Sequence, residues 1–173
     1  MILVELEDDV LEIKPVTQAD LDDVLEVYRQ CEDFLALGPV ATASMEMVLK
    51  DLEISRDEGG IYCGIWNAEG KLIGVLDYVL SGYQGDPHAA FLSLMMIGAP
   101  YRKQGAGKAI FEAFEREVRK DPEVTVLVSG VQVNNPQAVR FWQRMGFRIT
   151  GGPKLMADTT TVYDLRKELG TRE

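Results

Sequence analysis

Leu11 and Ile13 alternate with Glu12 and Lys14 in the run Val10 to Val16, and this period of two predicts a strand. The period then lengthens. Thr17-Gln-Ala-Asp20 is a near capping box, and Leu21, Val24, Leu25 and Tyr28 follow at the spacing of one helical face. Asp33 to Ala43 is an apolar loop broken by Gly38 and Pro39. Ser44 is placed to cap a second helix with Met45, Val48, Leu49 and Leu52 on one side.

Strands dominate the next stretch. Ile61 to Trp66 and Lys71 to Leu80 flank the turn Asn67-Ala-Glu-Gly70 and predict a hairpin. After the break at Ser81 to Pro87, Ala89 to Ile97 is continuously apolar, as in a central strand covered on both faces. Gly105 to Lys120 predicts a helix with Ile110, Phe111, Phe114 and Val118 inward. Glu112–Arg116 and Glu115–Arg119 pair on its outer face. Val124 to Val131 is another buried strand. Asn135 and Pro136 stand at N-cap and N1 of a helix through Met145. Phe147 to Thr150 and Thr160 to Leu165 are short strands around a turn at Gly151-Gly-Pro153. With no repeat or linker, the pattern predicts one domain over residues 1–173, its core at about 10–167.

Composition narrows the class. The 173 residues are 46% apolar and 27% charged, which excludes a disordered or disulfide-scaffold chain. Cys31 and Cys63 lack metal-ligand spacing and read as buried free thiols. His88 is the single histidine, so multi-histidine metal sites are excluded and no metal is expected. It lies in the turn-like run Gly85-Asp-Pro-His88 with no nucleophile motif nearby, and a surface loop position is expected. Apolar runs reach only about ten residues, too few to span a bilayer. The N-terminal run Met1 to Ile13 has no basic region and does not read as a secretory signal. A cytoplasmic protein is expected, with no membrane partner.

The net charge of -10, with a pI near 4.6, argues against nucleic acid. It also conceals an asymmetry. Residues 1–60 carry a net -12, residues 61–100 a net -2 and residues 101–173 a net +4. Pro87 to Phe111 contains no acid but includes Arg102, Lys103 and Lys108. An anionic ligand suits the C-terminal half and a cationic one the N-terminal half.

Arg102-Lys-Gln-Gly105-Ala-Gly107-Lys108 lies between a buried strand and a helix start. Glycines there turn the backbone tightly and leave N–H groups outward. The helix dipole and three cations then favour an anion, and a phosphate is the expected ligand. The spacing fails a P-loop twice, because Arg102 and Ala109 stand where Gly and Ser/Thr are needed. A dinucleotide fingerprint fails at Ile110.

The loop has the pattern Arg/Gln-x-x-Gly-x-Gly/Ala. One strand later comes Asn135-x-x-Ala138-x-x-Phe141-Trp142-x-x-x-Gly146-Phe147. Together, and in this order, the two blocks resemble the GNAT superfamily of N-acetyltransferases over nearly the whole chain. The resemblance implies a mixed α/β fold with one central, mostly antiparallel sheet of six to seven strands. About four helices would flank it, with the fourth and fifth strands splayed. It implies acetyl-CoA as cosubstrate. Backbone groups of Met95, Met96 and Ile97 would pair with the pantetheine arm, one N–H serving as oxyanion donor. Arg102, Lys103, Gln104, Gly105, Ala106, Gly107 and Lys108 would hold the pyrophosphate. Asn135 would hydrogen-bond the cofactor, and Trp142 would pack against the pantetheine or the core.

The match breaks at the proton relay. Many relatives have a tyrosine acid where this chain has Trp142. Others have a glutamate at the positions of Gly130 or Ser93. An indole N–H is no proton donor for a thiolate. Substitute candidates are Asp77, Tyr78, Tyr83 and Asp33, the last beside Glu32, and a water chain is an alternative. The expected activity is direct acetyl transfer to a primary amine, on a cationic small molecule or a peptide. Phe34 to Ala43 would shape the acceptor pocket. The alternative is a catalytically weak or non-enzymatic acyl-CoA-binding module. A homodimer is left open.

Overall fold

A computed structural model describes residues 1–102 and 105–170. Among these residues one sheet of eight strands runs in the order β1-β2-β3-β4-β5-β6-β8-β7. The strands are β1 (Ile2–Glu5), β2 (Val10–Pro15), β3 (Ile61–Trp66), β4 (Leu72–Val79), β5 (Ala89–Ile97), β6 (Val126–Gln132), β7 (Arg148–Leu155) and β8 (Thr161–Glu168). Helices α1 (Leu21–Gln30), α2 (Glu32–Leu35), α3 (Met45–Asp57), α4 (Ala106–Val118) and α5 (Pro136–Arg144) accompany them. All neighbouring strands are antiparallel except β5 and β6.

Sequence periodicity and structure agree on most elements, and the differences have physical reasons. β1 escaped the sequence reading. Ile2 and Val4 are buried while Leu3 is 55% exposed, so it is a short alternating strand added at the sheet edge. It brings the sheet to eight strands and extends the core outside 10–167. The apolar loop after α1 begins with one helical turn, α2, so Asp33 and Phe34 are helical. In α3 the inner positions are Val48 and Ser55, and Leu49 is 48% exposed. Gly151-Gly-Pro153 is not the last hairpin turn. It is an irregularity inside β7, and the chain reverses between Leu155 and Thr161.

The two sheet faces carry different layers. Beneath α1 and α3 lie Val24, Val27, Tyr28, Val48, Tyr62, Val75 and Met96. On the other face α4 and α5 pack Ile110, Phe111, Phe114 and Trp142 against β-strand residues such as Leu92, Leu127 and Leu165. On α4, Arg119 pairs with Glu115 as expected, whereas Glu112 pairs with Lys108 rather than Arg116. Cys31 and Cys63 are free and buried. His88 is exposed, its Nδ1 2.8 Å from the Glu123 carbonyl.

Candidate functional site

The parallel pairing of β5 with β6 runs only from Ala89–Val126 to Leu92–Ser129. Beyond Leu92, β5 continues to Ile97 while pairing with β4 alone. A V-shaped opening therefore splits the sheet, as expected for the fourth and fifth strands of the sequence reading. Its β5 edge is Ser93 to Ile97, and half-buried Met95 reaches toward α4. An added Cβ on Gly107 would lie 3.8 Å from the Met95 methyl.

The first turn of α4 closes one end of this edge. Gly105 holds φ +85°, a left-handed conformation that side chains resist, and so starts the helix sharply. Ala109 donates the first helical bond, to the Gly105 carbonyl at 3.0 Å. The N–H groups of Ala106, Gly107 and Lys108 precede it and are directed out of the helix end. Together with the Lys108 ammonium they fit a pyrophosphate. Lys103 and Gln104 lie outside the described residues.

Arg102 is committed elsewhere. Its two terminal nitrogens donate to Asp33 at 2.6 and 3.1 Å, and Nε donates to the Ile97 carbonyl at 2.9 Å. Cys31 Sγ also donates to that carbonyl at 3.4 Å. The guanidinium holds the Asp33 carboxyl below the usual carboxylate range. Asp33 is thus a fastener at the approach to the glycine loop, and its charge is already paired.

Asn135 accepts from the Ala138 N–H at 3.2 Å, the N-cap of α5. Trp142 is 9% exposed and sits among Phe111, Phe141 and Phe147, with ring centroids 4.9–5.6 Å apart. It belongs to the core layer. The aromatic that faces the glycine loop is its neighbour Phe141, 3.5 Å from the position of a Gly107 Cβ. Sequence reasoning quoted Phe141 only as a motif residue, because adjacent helical positions differ by a turn of about 100°.

The remaining candidates separate by face. Tyr78 points into the α4 side, its ring 5.0 Å from Phe114 and its hydroxyl accepting from Cys63 Sγ at 3.7 Å. It does not reach the opening. Asp77 points the other way, toward α3. It is only 4% exposed and accepts from Ser55 Oγ at 2.6 Å. Burial pushes its carboxyl up to about 6, with the charges of Glu58 and Asp51 adding to the effect. The Ser93 hydroxyl stands near it and works against that rise. Tyr83 stacks on Phe91 at 4.1 Å and feels the charges of both Glu58 and Asp164.

Register explains why Asp77 and Ser93 meet. Asp77 is opposite Leu94 and Tyr78 is opposite Leu92, so Ser93 is the extra residue of a bulge. That bulge lies at the first residue past the last β5–β6 pair. Across the opening, Gly130 is opposite Asp164 of β8. Both family glutamate positions, Ser93 and Gly130, therefore have an aspartate on the adjoining strand. Sequence spacing could not reveal this, because the strands concerned are far apart in the chain.

Two further residues were missed. Asn134 donates to the Leu37 carbonyl at 2.9 Å, tying the loop after α2 to the end of β6. Gln132 has a buried Oε1 without a partner among the described residues, and its Nε2 lies 3.9 Å from the position of a Gly38 Cβ. Neither residue type is diagnostic in a sequence.

Comparisons with known proteins agree with this geometry. An acetyltransferase from Thermus thermophilus is 26% identical. The match covers 92% of this chain and 97% of that one, with a TM-score of 0.74. Spermidine N-acetyltransferase from Vibrio cholerae, solved with CoA and spermine, is 13% identical. There 91% of this chain and 95% of that one align, at a TM-score of 0.70. AAC(6')-Ib, solved with ribostamycin and coenzyme A, is 19% identical over 92% of this chain and 93% of that one, at 0.72. The latter two likenesses are of fold alone. A search of curated proteins gave no match. The model of the acetyltransferase (GNAT) family matches residues 21–147, most of the chain. The chain therefore belongs to the GNAT family of acetyltransferases, enzymes whose cosubstrate is acetyl-CoA.

Proposed function

We propose that the protein transfers acetyl from acetyl-CoA directly to a primary amine of a cationic small molecule or peptide. The observation that carries this reading is the acidic rim on the α3 side of the opening. Glu58 and Asp164 lie around Tyr83 there, and the N-terminal 60 residues carry a net -12. Cations concentrate at such a rim, while the α4 end carries the opposite sign for the pyrophosphate. Two of the similar structures hold spermine and ribostamycin, which supports an amine acceptor here.

In this reading the backbone edge of Met95 and Met96 lies along the pantetheine arm, with Ile97 contributing its N–H. The N–H groups at the start of α4 hold the pyrophosphate, and Phe141 borders the loop. Asn135 and Trp142 support that wall from behind, Asn135 by capping α5 and Trp142 by packing. The segment Phe34 to Ala43, the end of α2 and the loop after it, forms the acceptor side and is held by Asn134. An amine of lysine type is neutral about once in a few thousand at pH 7, equivalent to about 4–5 kcal/mol, so a base or desolvation is needed.

A panel of polyamines, amino sugars, basic peptides and neutral or anionic amines, followed by release of CoA thiol, tests the proposal. Turnover confined to cationic acceptors is expected. Turnover only with neutral or anionic amines overturns the cationic reading. No turnover with any amine would favour the non-enzymatic acyl-CoA-binding module.

A further inference from the structure

We infer that Ser93 and Asp77 together replace the missing strand glutamate, with Ser93 touching the attacking amine and Asp77 receiving the proton behind it. The inference rests on the acetyltransferase reading above and names the groups that move the proton.

Three observations carry it. Ser93 is exposed and sits at the apex of the opening, the first β5 residue with no β6 partner. Ile97 is four positions further on, about 13 Å along a strand, so Ser93 lies at the far end of the edge that begins at the α4 helix. Asp77 is shut off from water on the adjoining strand, yet the bulge sets Ser93 beside it, with the hydroxyl near enough to favour its charged form. Its other contacts hold it in place. Ser55 of α3 donates from one side, and Tyr62 of β3 is its direct cross-strand neighbour. Tyr62 is itself bonded to Tyr28, which donates to Asp51 at 2.7 Å. The titratable and charged groups facing Asp77 are therefore Tyr62, Asp51 and Glu58, and among the described residues none of the ion pairs involves Asp77. A carboxylate kept without a cation and linked outward by one hydroxyl is suited to take up a proton.

The step balances as follows. The amine enters neutral, its ammonium proton having gone to solvent. As its nitrogen bonds to the thioester carbon, an N–H proton passes to Ser93 Oγ while the Ser93 proton passes to an Asp77 oxygen. The carbon–sulfur bond breaks, and sulfur leaves with the electron pair as thiolate, which takes a proton from water. Asp77 returns its proton through Ser93 to solvent. Asp77 is a positioning and proton-storing residue in this scheme, because only Ser93 touches the substrate.

The test is a pH profile of kcat for acetyl transfer to the best amine of the panel, in the full chain and in three variants. The parent protein should lose activity as pH falls through about 6, where Asp77 protonates. Asp77→Asn keeps a Ser55 partner and should lose about 10²-fold in kcat together with that acid limb. Ser93→Ala should lose about tenfold or more and the same limb, while Ser93→Thr retains both. Acetyl-CoA affinity by calorimetry should stay within about twofold in all three, a readout that separates proton transfer from misfolding. An unchanged acid limb in Asp77→Asn or in Ser93→Ala overturns the inference. Absence of turnover by the parent protein with every amine overturns the reading beneath it instead.

Discussion

Arg102 and Asp33 form a two-pronged ion pair, with contacts of 2.6 and 3.1 Å, across 69 residues of sequence. It joins α2 to the entrance of the glycine loop, and the same guanidinium caps the Ile97 carbonyl at the end of β5. The end of α2 and the end of β5 thus share one fastener. Its side chains are 41% and 62% exposed, so the pair contributes about 1 kcal/mol or less to global stability. Asp33→Ala should lower Tm by about 4 °C or less. Local order should suffer more, with faster amide exchange in Phe34–Leu37 and Gly105–Lys108 by mass spectrometry. Unchanged exchange in both segments would show that the pair fastens nothing.

The pair also bears on pH. Asp33 has a depressed carboxyl, so its stabilisation is present above the ordinary carboxylate range and is lost only as pH falls below it. An activity change near pH 6 therefore does not arise at Asp33.

Asp77 has the opposite sign. Its folded carboxyl is raised from 3.8 to about 6. The folded state then binds a proton more readily than the unfolded chain. This costs stability above pH 6, by about 3 kcal/mol at full ionisation, and the cost fades as pH falls toward 4. Asp77→Asn should therefore gain stability relative to the parent protein at pH 8 and show less gain at pH 5. Urea melts at the two pH values check this, and an equal difference at both would refute it.

Gly107→Glu should leave the fold intact and weaken acetyl-CoA binding at least about tenfold. An added Cβ meets Phe141 at 3.5 Å, an ordinary contact, so the backbone tolerates a side chain. The new carboxylate, however, stands in the first turn of α4, where the pyrophosphate would compete with it for the same N–H groups. Calorimetry with acetyl-CoA is the measurement, and unchanged affinity would move the cofactor away from this helix.

Asp164→Asn should raise KM for a cationic acceptor about threefold to tenfold with kcat little changed. Asp164 is partly exposed, faces Gly130, and has a single distant cation, Lys154 at 4.0 Å, among the described residues. A change in kcat alone would indicate a different role.

Trp142→Ala should cost about 3–5 kcal/mol of stability by opening a cavity among Phe111, Phe141 and Phe147. Trp142→Tyr should retain the fold without raising kcat, because the position faces the core layer. A strong rise in kcat would instead place this side chain beside the leaving sulfur.

Local pattern made most of the fold legible. Strict alternation marked β2, Asn67 to Gly70 marked the hairpin between β3 and β4, and the unbroken apolar run of β5 had the observed ends. Each depends on residues a few positions apart, so a linear reading contains the information. β1 and the irregular β7 were illegible for the same reason. A four-residue edge strand carries too few positions to show a period, and Gly151-Gly-Pro153 has the composition of a turn whether or not a partner strand pairs with it.

Residue spacing alone specified the glycine start of α4, the cap of α5 and the order of elements, because glycine, asparagine and proline act on their immediate backbone neighbours. What stands beside the positions of the absent glutamates is a matter of tertiary structure alone. Ser93 meets Asp77, and Gly130 meets Asp164, through strand register, and a bulge of one residue sets which side chains face each other. Tertiary structure also decided that Arg102 is spent on Asp33, and that Phe141 rather than Trp142 meets the loop. These are relations across strands and between layers. They depend on how the chain closes on itself, which residue spacing does not encode.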